Sequence, residues 1–175
     1  GDTLSSVTVS GLTGSDGTFS LNGTAITSST TVTKTQIDNG LLTFGLKKQL
    51  YTLKPAYKCN DRKEMDNELN KIKLTNEKIL VTGKGRVGSG ILETIKKLNI
   101  KEVNIYDYLN SQFDYPVFLN IDVMDYNERI DGQKANFNDF VNNPFNYKSS
   151  FMKYVKQTDI FIAGHYYGTG APFLF

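Results

Sequence analysis

Two patterns of apolar spacing divide the chain. Ile79, Leu80 and Val81 form a short continuous apolar run, as a strand buried on both faces does. After a glycine-dense turn, Val87, Ile91, Leu92, Ile95 and Leu98 recur at three- and four-residue intervals, which predicts one face of a helix. Further strands are expected over Glu102 to Tyr106 and over Ile160 to Ala163. Residues Lys63 to Lys73 read as an amphipathic helix capped by Asp61 or Asn60. Between Asn110 and Ser149 the pattern offers mainly loop with short helices. Near the start the period changes to two: Ser6-Val7-Thr8-Val9-Ser10 alternates, and Phe19, Leu21, Ala25 and Ile26 flank Asn22-Gly23, a pair suited to a type I′ hairpin turn.

Composition sharpens that division. In residues 1–44, Thr, Ser and Gly fill 24 of 44 positions, and all ten tyrosines lie from Tyr51 onward. Such a break suggests two sequences of different origin. Across the whole chain, 20 basic residues against 18 acidic ones, without long single-sign runs, give no nucleic-acid surface and no membrane-binding helix. The aromatic residues from Phe113 to Tyr126 and from Phe137 to Phe151 are not interleaved with basic ones as a nucleic-acid groove requires, so they read as core or interface. No apolar stretch approaches a membrane span, and Gly1-Asp2-Thr3 does not open an export signal, so the chain is expected to be soluble with any such signal absent or removed. A single cysteine, Cys59, excludes an internal disulfide and reads as a structural thiol. One His and one Cys make no zinc cluster, and Asp122, Asp125 and Asp131 lack the spacing of a calcium loop, so no metal is expected.

The glycine turn carries the chemistry. Gly83, Gly85 and Gly88 satisfy G-x-G-x-x-G between the predicted strand and helix. The first glycine allows the tight turn, the second lets backbone approach a pyrophosphate, and the third lets the helix lie close to the strand. The anion would sit on the helix N-terminus, where free N–H groups and the dipole favour it. Asp107, 24 positions after Gly83 and at the end of the expected second strand, is near the roughly 20 expected of the acid that bonds a ribose. A Walker A loop does not fit, because Ser89 and Gly90 follow Gly88, and the short-chain dehydrogenase pattern misses by one position at Val87. The expected fold class is therefore α/β: a partial Rossmann-type parallel sheet with flanking helices over residues 78–175, a linker and helix over 45–77, and a β-rich segment over 1–44.

Two resemblances follow from these residues. Val7-Thr8-Val9-Ser10-Gly11-Leu12, Gly17-Thr18-Phe19-Ser20-Leu21-Asn22-Gly23 and Ile37-Asp38-Asn39-Gly40-Leu41-Leu42-Thr43-Phe44 resemble the front half of the cadherin-like repeats of bacterial surface and adhesion proteins. From residue 46 onward, Leu53-Lys54-Pro55-Ala56, the helical stretch from Asp61 to Ile72, Lys78 to Gly90, Asn143-Pro144 and Thr158 to Tyr167 are similar to the nucleotide-binding part of the saccharopine dehydrogenase and alanine dehydrogenase superfamily. Gly85-Arg86-Val87-Gly88-Ser89-Gly90 is the specific part and resembles the lysine-forming saccharopine dehydrogenases.

That resemblance implies NAD as cofactor, held by Gly83, Gly85, Arg86, Val87 and Gly88 at the pyrophosphate, by Asp107 at the adenosine ribose, and by Gly164, His165 and Tyr166 toward the nicotinamide. It implies hydride transfer between NAD and a carbon bearing an amine, in the cytoplasm. The family's acid/base lysine and histidine belong to a separate N-terminal catalytic domain with no counterpart here, so no catalytic residue is assigned. The chain also ends at Phe175, where a complete dinucleotide fold would add a second half. Such a piece would work with a small-molecule cofactor and with a missing catalytic domain or an oligomer. Two other readings stand beside it: a surface or adhesion β module fused to an inactive α/β scaffold, and a chimeric chain without selected activity.

Overall fold

The computed structural model describes residues 44–165 and 168–175, Leu41, and the backbone of the segments 7–9, 20–21, 24–25 and 30–32. In the front segment β1 (Val7–Val9) pairs antiparallel with β4 (Thr30–Val32), and β2 (Ser20–Leu21) pairs with β3 (Thr24–Ala25). The Leu21↔Thr24 register frames the expected Asn22-Gly23 turn, whose two residues lie outside the described ones.

The larger unit is mixed α/β. Its centre is β5 (Lys78–Thr82), every residue of which is buried, followed by α2 (Arg86–Lys97), which comes after a shorter helix, α1 (Arg62–Leu69). Asp61 caps α1 by accepting the Glu64 N–H, and Asn99, with φ of 54°, stands in the left-handed region just past the end of α2. Next come β6 (Lys101–Glu102), α3 (Ile105–Asn110) and β7 (Val117–Ile121). Further on, β8 (Asn127–Arg129) pairs antiparallel with β9 (Tyr147–Ser149), with α4 (Phe137–Asn142) between them in sequence. The short helix α5 (Met152–Val155) leads into β10 (Ile160–Ala163). One four-stranded parallel sheet results, in the order β10, β5, β7, β6.

Alternation along the strands fills both faces. Ile79, Val81 and Phe118 pack with Ile91, Ile95, Ile100 and Leu69 on one side. Leu80, Leu119 and Ile121 pack with Tyr108, Tyr126, Phe151 and Tyr154 on the other. Leu41 and Phe44, at the end of the β-rich segment as drawn from sequence, also pack on the α2 side. Of the aromatic residues read as core or interface, Phe118, Tyr126, Phe140, Tyr147 and Phe151 are buried, whereas Tyr115, Phe137 and Phe145 are exposed.

Two expectations are corrected. The strand expected over Glu102 to Tyr106 stops at Glu102, because the Asn104 side chain accepts the Asp107 N–H at 2.9 Å and starts a helix instead. The stretch from Asn110 to Ser149, read as mainly loop, contains the buried strand β7 at the centre of the sheet. Its five residues, bounded by Pro116 and Asp122, bury far more apolar surface than Lys101 and Glu102 can, so β7 takes the place beside β5 and the charged pair goes to the edge.

An ion cluster holds the β8–β9 excursion. Arg129 meets Asp131 through two bonds of 2.9 and 2.6 Å and also pairs with Asp139, which accepts the Tyr147 hydroxyl at 2.9 Å. The bonds from Arg129 hold the Asp131 carboxyl down at about 2, against an ordinary 3.8. A depressed carboxyl stabilises the fold fully above its unfolded value and loses that contribution as pH falls through its folded one. Urea midpoints of the intact protein should therefore fall between pH 4 and pH 2, and Asp131→Asn should flatten that part of the profile. Phe118→Ala, which empties the space between β7 and α2, should cost about 3–5 kcal/mol in the same urea titration at neutral pH.

Candidate functional site at the strand ends

The carboxyl ends of β5, β7 and β10 are held together by backbone. The Gly83 N–H donates to Ile121 O at 2.8 Å, and the Gly164 N–H donates to Thr82 O at 2.9 Å. Gly83 has φ of 94°, and a Cβ there would lie 2.4 Å from Gly164 O. A Cβ on Gly88 would lie 1.9 Å from Gly83 O, and one on Gly164 would lie 2.8 Å from Thr82 O. Three glycines from three segments thus meet with no space for side chains, and this contact seats the first turn of α2 on the end of β5.

Gly85 is different. It is exposed, its backbone is extended with φ of −82°, and a Cβ would meet nothing within 4 Å. It occupies the N-cap of α2 without a side-chain cap, and the first helical bond runs from the Ser89 N–H to Gly85 O. The N–H groups of the turn before Ser89 therefore lack partners within the helix and point outward at the positive end of a twelve-residue helix. Lys84 and Arg86 are exposed on either side, whereas the Val87 side chain packs toward the core, leaving only its backbone for a ligand. The fit to a pyrophosphate is good: open backbone donors, helix dipole and two cations. The tight turn read for Gly83 and the close helix–strand approach read for Gly88 match this geometry, and Gly85 is open to solvent.

His165 follows Gly164 at the end of β10. Its Nδ1 lies 2.6 Å from Thr82 Oγ1, and its ring meets the Tyr126 ring edge-on at 5.9 Å. Burial pushes its pKa below the usual imidazole value, so the ring is neutral at pH 7. Thr82 is fully buried, and His165 is its only side-chain partner among the described residues. The neutral ring meets this contact in either tautomer, with the Thr82 hydroxyl donating to Nδ1 or the Nδ1–H donating to the hydroxyl, and Nε2 carries the opposite role. Tyr166 lies outside the described residues.

Asp107 does not stand at a strand end. It sits in the first turn of α3, one residue before Tyr108. The buried Lys78 amine, at the start of β5, donates to Tyr108 O at 2.7 Å and to Ser111 O at 2.8 Å. Tyr108 also bonds Thr158, just before β10 begins. The C-terminal end of α3 is therefore anchored at the end of the sheet opposite the glycine turn, and the hydrogen bonds of Asp107 run to Asn104 and Ser111 rather than to Gly83, Gly85 or Gly88.

The acid that is brought there is Asp122. It follows Ile121, the residue bonded to Gly83, and is exposed. Its side chain accepts the Val123 N–H at 2.7 Å, and its own N–H donates to Asp125 at 2.7 Å, a reciprocal cap on the single 3-10 turn Val123–Asp125. Sequence reasoning missed Asp122 and Thr82. The signal for Asp122 was the apolar run Val117 to Ile121 ending in an acid; Thr82 carried none beyond its place before Gly83.

Other candidates are weaker. A cavity of about 450 Å³ lies away from the glycine turn between the C-terminal parts of α1 and α2 and is lined by Leu69, Asn70, Lys73, Lys97, Asn99 and Pro116. Cys59 lies 3.7 Å from Pro55 O, and burial pushes its thiol up, away from a reactive thiolate. Among the described residues no group of three could hold a metal ion, and no helix is long and apolar enough to cross a membrane.

Comparison with protein-family models yields no match, and comparison with curated proteins yields none either. The chemistry of the site therefore rests on its geometry.

That geometry separates the glycines by role. Gly88→Ala should lower stability by about 3 kcal/mol through its clash with Gly83 O. Gly85→Ala should change it by no more than about 0.5 kcal/mol, the difference between glycine and alanine at an N-cap. Thermal melts of the two variants followed by circular dichroism distinguish these outcomes.

Proposed function

We propose that the α/β unit is the NAD-holding part of an amino-acid dehydrogenase, of the kind that saccharopine and alanine dehydrogenases represent. The observation that carries this reading is the glycine turn: Gly83 in the left-handed region, Gly88 pressed against it, and Gly85 open at the head of α2. A loop that only connected strand to helix would need the first two features and not the third. The partial Rossmann-type arrangement belongs to the same reading, with β5, α2, β7 and β10 forming the platform around the turn. Its strand order accommodates this, since the ends of β7 and β10 flank the point where the chain leaves β5.

NAD would supply the hydride acceptor. The chain's own part is to bind and orient it: backbone donors and Arg86 at the pyrophosphate, and the Gly164-His165 turn beside the reactive ring. His165 turns Nδ1 to Thr82, and no catalytic base is assigned within this unit. The reading is therefore of a cofactor-binding unit that works with a substrate-binding partner domain.

Titration of the full chain with NADH, followed by cofactor fluorescence, tests this. Saturable binding below millimolar cofactor is expected, with Gly85→Asp abolishing it while leaving the melting temperature within a few degrees. An absence of binding by the intact chain, or equal binding by the variant, overturns the proposal.

A further inference from the structure

At the other end of α2 from the glycine turn, the C-terminal parts of α1 and α2 frame a cavity of about 450 Å³. We propose that this cavity is a binding site for a small amphipathic carboxylate, an apolar chain of medium length ending in one acid group. Its size falls within the range of about 300–1,000 Å³ over which small-molecule sites occur. The twelve residues of α2 span about 18 Å, so a ligand here is separate from any nucleotide held at the glycine turn.

The lining has an apolar part and a polar part, as a small-molecule site requires. Leu69, Ile72, Leu74, Leu98, Ile100 and Pro116 make the apolar part. Leu69 and Ile100 are buried, and Ile72, Leu74 and Leu98 pack against the main core cluster, so this surface is fixed by the fold. An alkyl chain laid on it leaves water for the same reason that core side chains do. The polar part is Asn70, Lys73, Lys97 and Asn99, and no acidic residue is among the lining residues described.

Charge selects the class of ligand. Lys97 is tied to Asp66, which Arg62 also holds at 2.7 Å. Lys73 is exposed and has no carboxylate partner among the described residues, so its ammonium is the cation open to a ligand. The side-chain amides of Asn70 and Asn99 make no hydrogen bond among the described residues, and each has N–H donors to offer a carboxylate beside Lys73. The carbonyl ends of two helices disfavour an anion, but Lys96 and Lys97 in the last turn of α2 offset that field. An organic ammonium would meet the same lysines with no carboxylate in the lining to receive it.

Calorimetric titration of the full chain with octanoate, decanoate, octanol and octylamine reads the chemistry, and backbone amide resonances read the place. Octanoate should bind saturably at one site, and decanoate about tenfold tighter through its two further methylenes. Octanol and octylamine, without the acid group, should bind about tenfold more weakly than octanoate. Lys73→Gln and Lys73→Glu, surface changes that leave the melting temperature within a few degrees, should each weaken octanoate about tenfold or more and leave octanol within about twofold. The amides of Lys73, Leu98 and Ile100 should shift on saturation with octanoate. Uptake that does not saturate overturns the proposal, as does octanol or octylamine binding as tightly as octanoate. Equal octanoate affinity in either folded Lys73 variant, or shifts confined to other parts of the chain, overturns it as well.

Discussion

The contact on which the rest of the α/β unit depends is backbone against backbone, where Gly83, Gly88 and Gly164 converge. No side chain beyond hydrogen fits at these points, because the space between α2, the end of β5 and the end of β10 is taken by carbonyl oxygens. Pressing the first turn of α2 onto β5 fixes the direction in which the helix leaves. That direction lets Ile91 and Ile95 reach Ile79, Val81 and Phe118, so the main core cluster is set by the same contact that opens the N–H groups at Gly85. Stability and ligand-binding potential meet in one turn, yet they fall on different glycines.

The sheet order follows from a competition for the central position. Five consecutive residues from Val117 to Ile121, four of them buried, outcompete the pair Lys101 and Glu102 for the place beside β5. Charged residues tolerate an edge, where their side chains stay in water and discourage further pairing. The consequence reaches the candidate site, because the strand that wins the central place also chooses which acid stands next to the glycine turn. Asp107 is left in the first turn of a short helix whose C-terminal end is tied by Lys78, and Asp122 follows the end of β7.

The second face of the sheet has a different character. Tyr108, Tyr126, Phe151 and Tyr154 cover Leu80, Leu119 and Ile121, and their hydroxyls are pinned to backbone or to Thr158 in two of three cases. Tyr126 is the exception: its buried hydroxyl has no partner among the described residues, and desolvation raises its pKa far above that of a free phenol. Its ring nevertheless supports His165 edge-on, so the aromatic layer continues up to the site, where partial burial lowers the imidazole pKa. Core and site are continuous on this face.

Sequence alone determined the local features whose physics is local. The buried run at Ile79 to Val81, the three-and-four spacing of α2, the Asp61 cap and the steric roles of Gly83 and Gly88 could all be read from neighbouring residues, since each depends on a turn, a cap or a helical period. The Asn104 cap was equally local, but the alternation of Val103 and Ile105 masked it and led to a strand where a helix forms. Tertiary structure alone decided the strand order, the placement of Asp122 and the pairing of Thr82 with His165. These depend on which segments, distant in sequence, compete best for the same buried space, and a spacing rule counted along the chain cannot register that a later strand has displaced an earlier one.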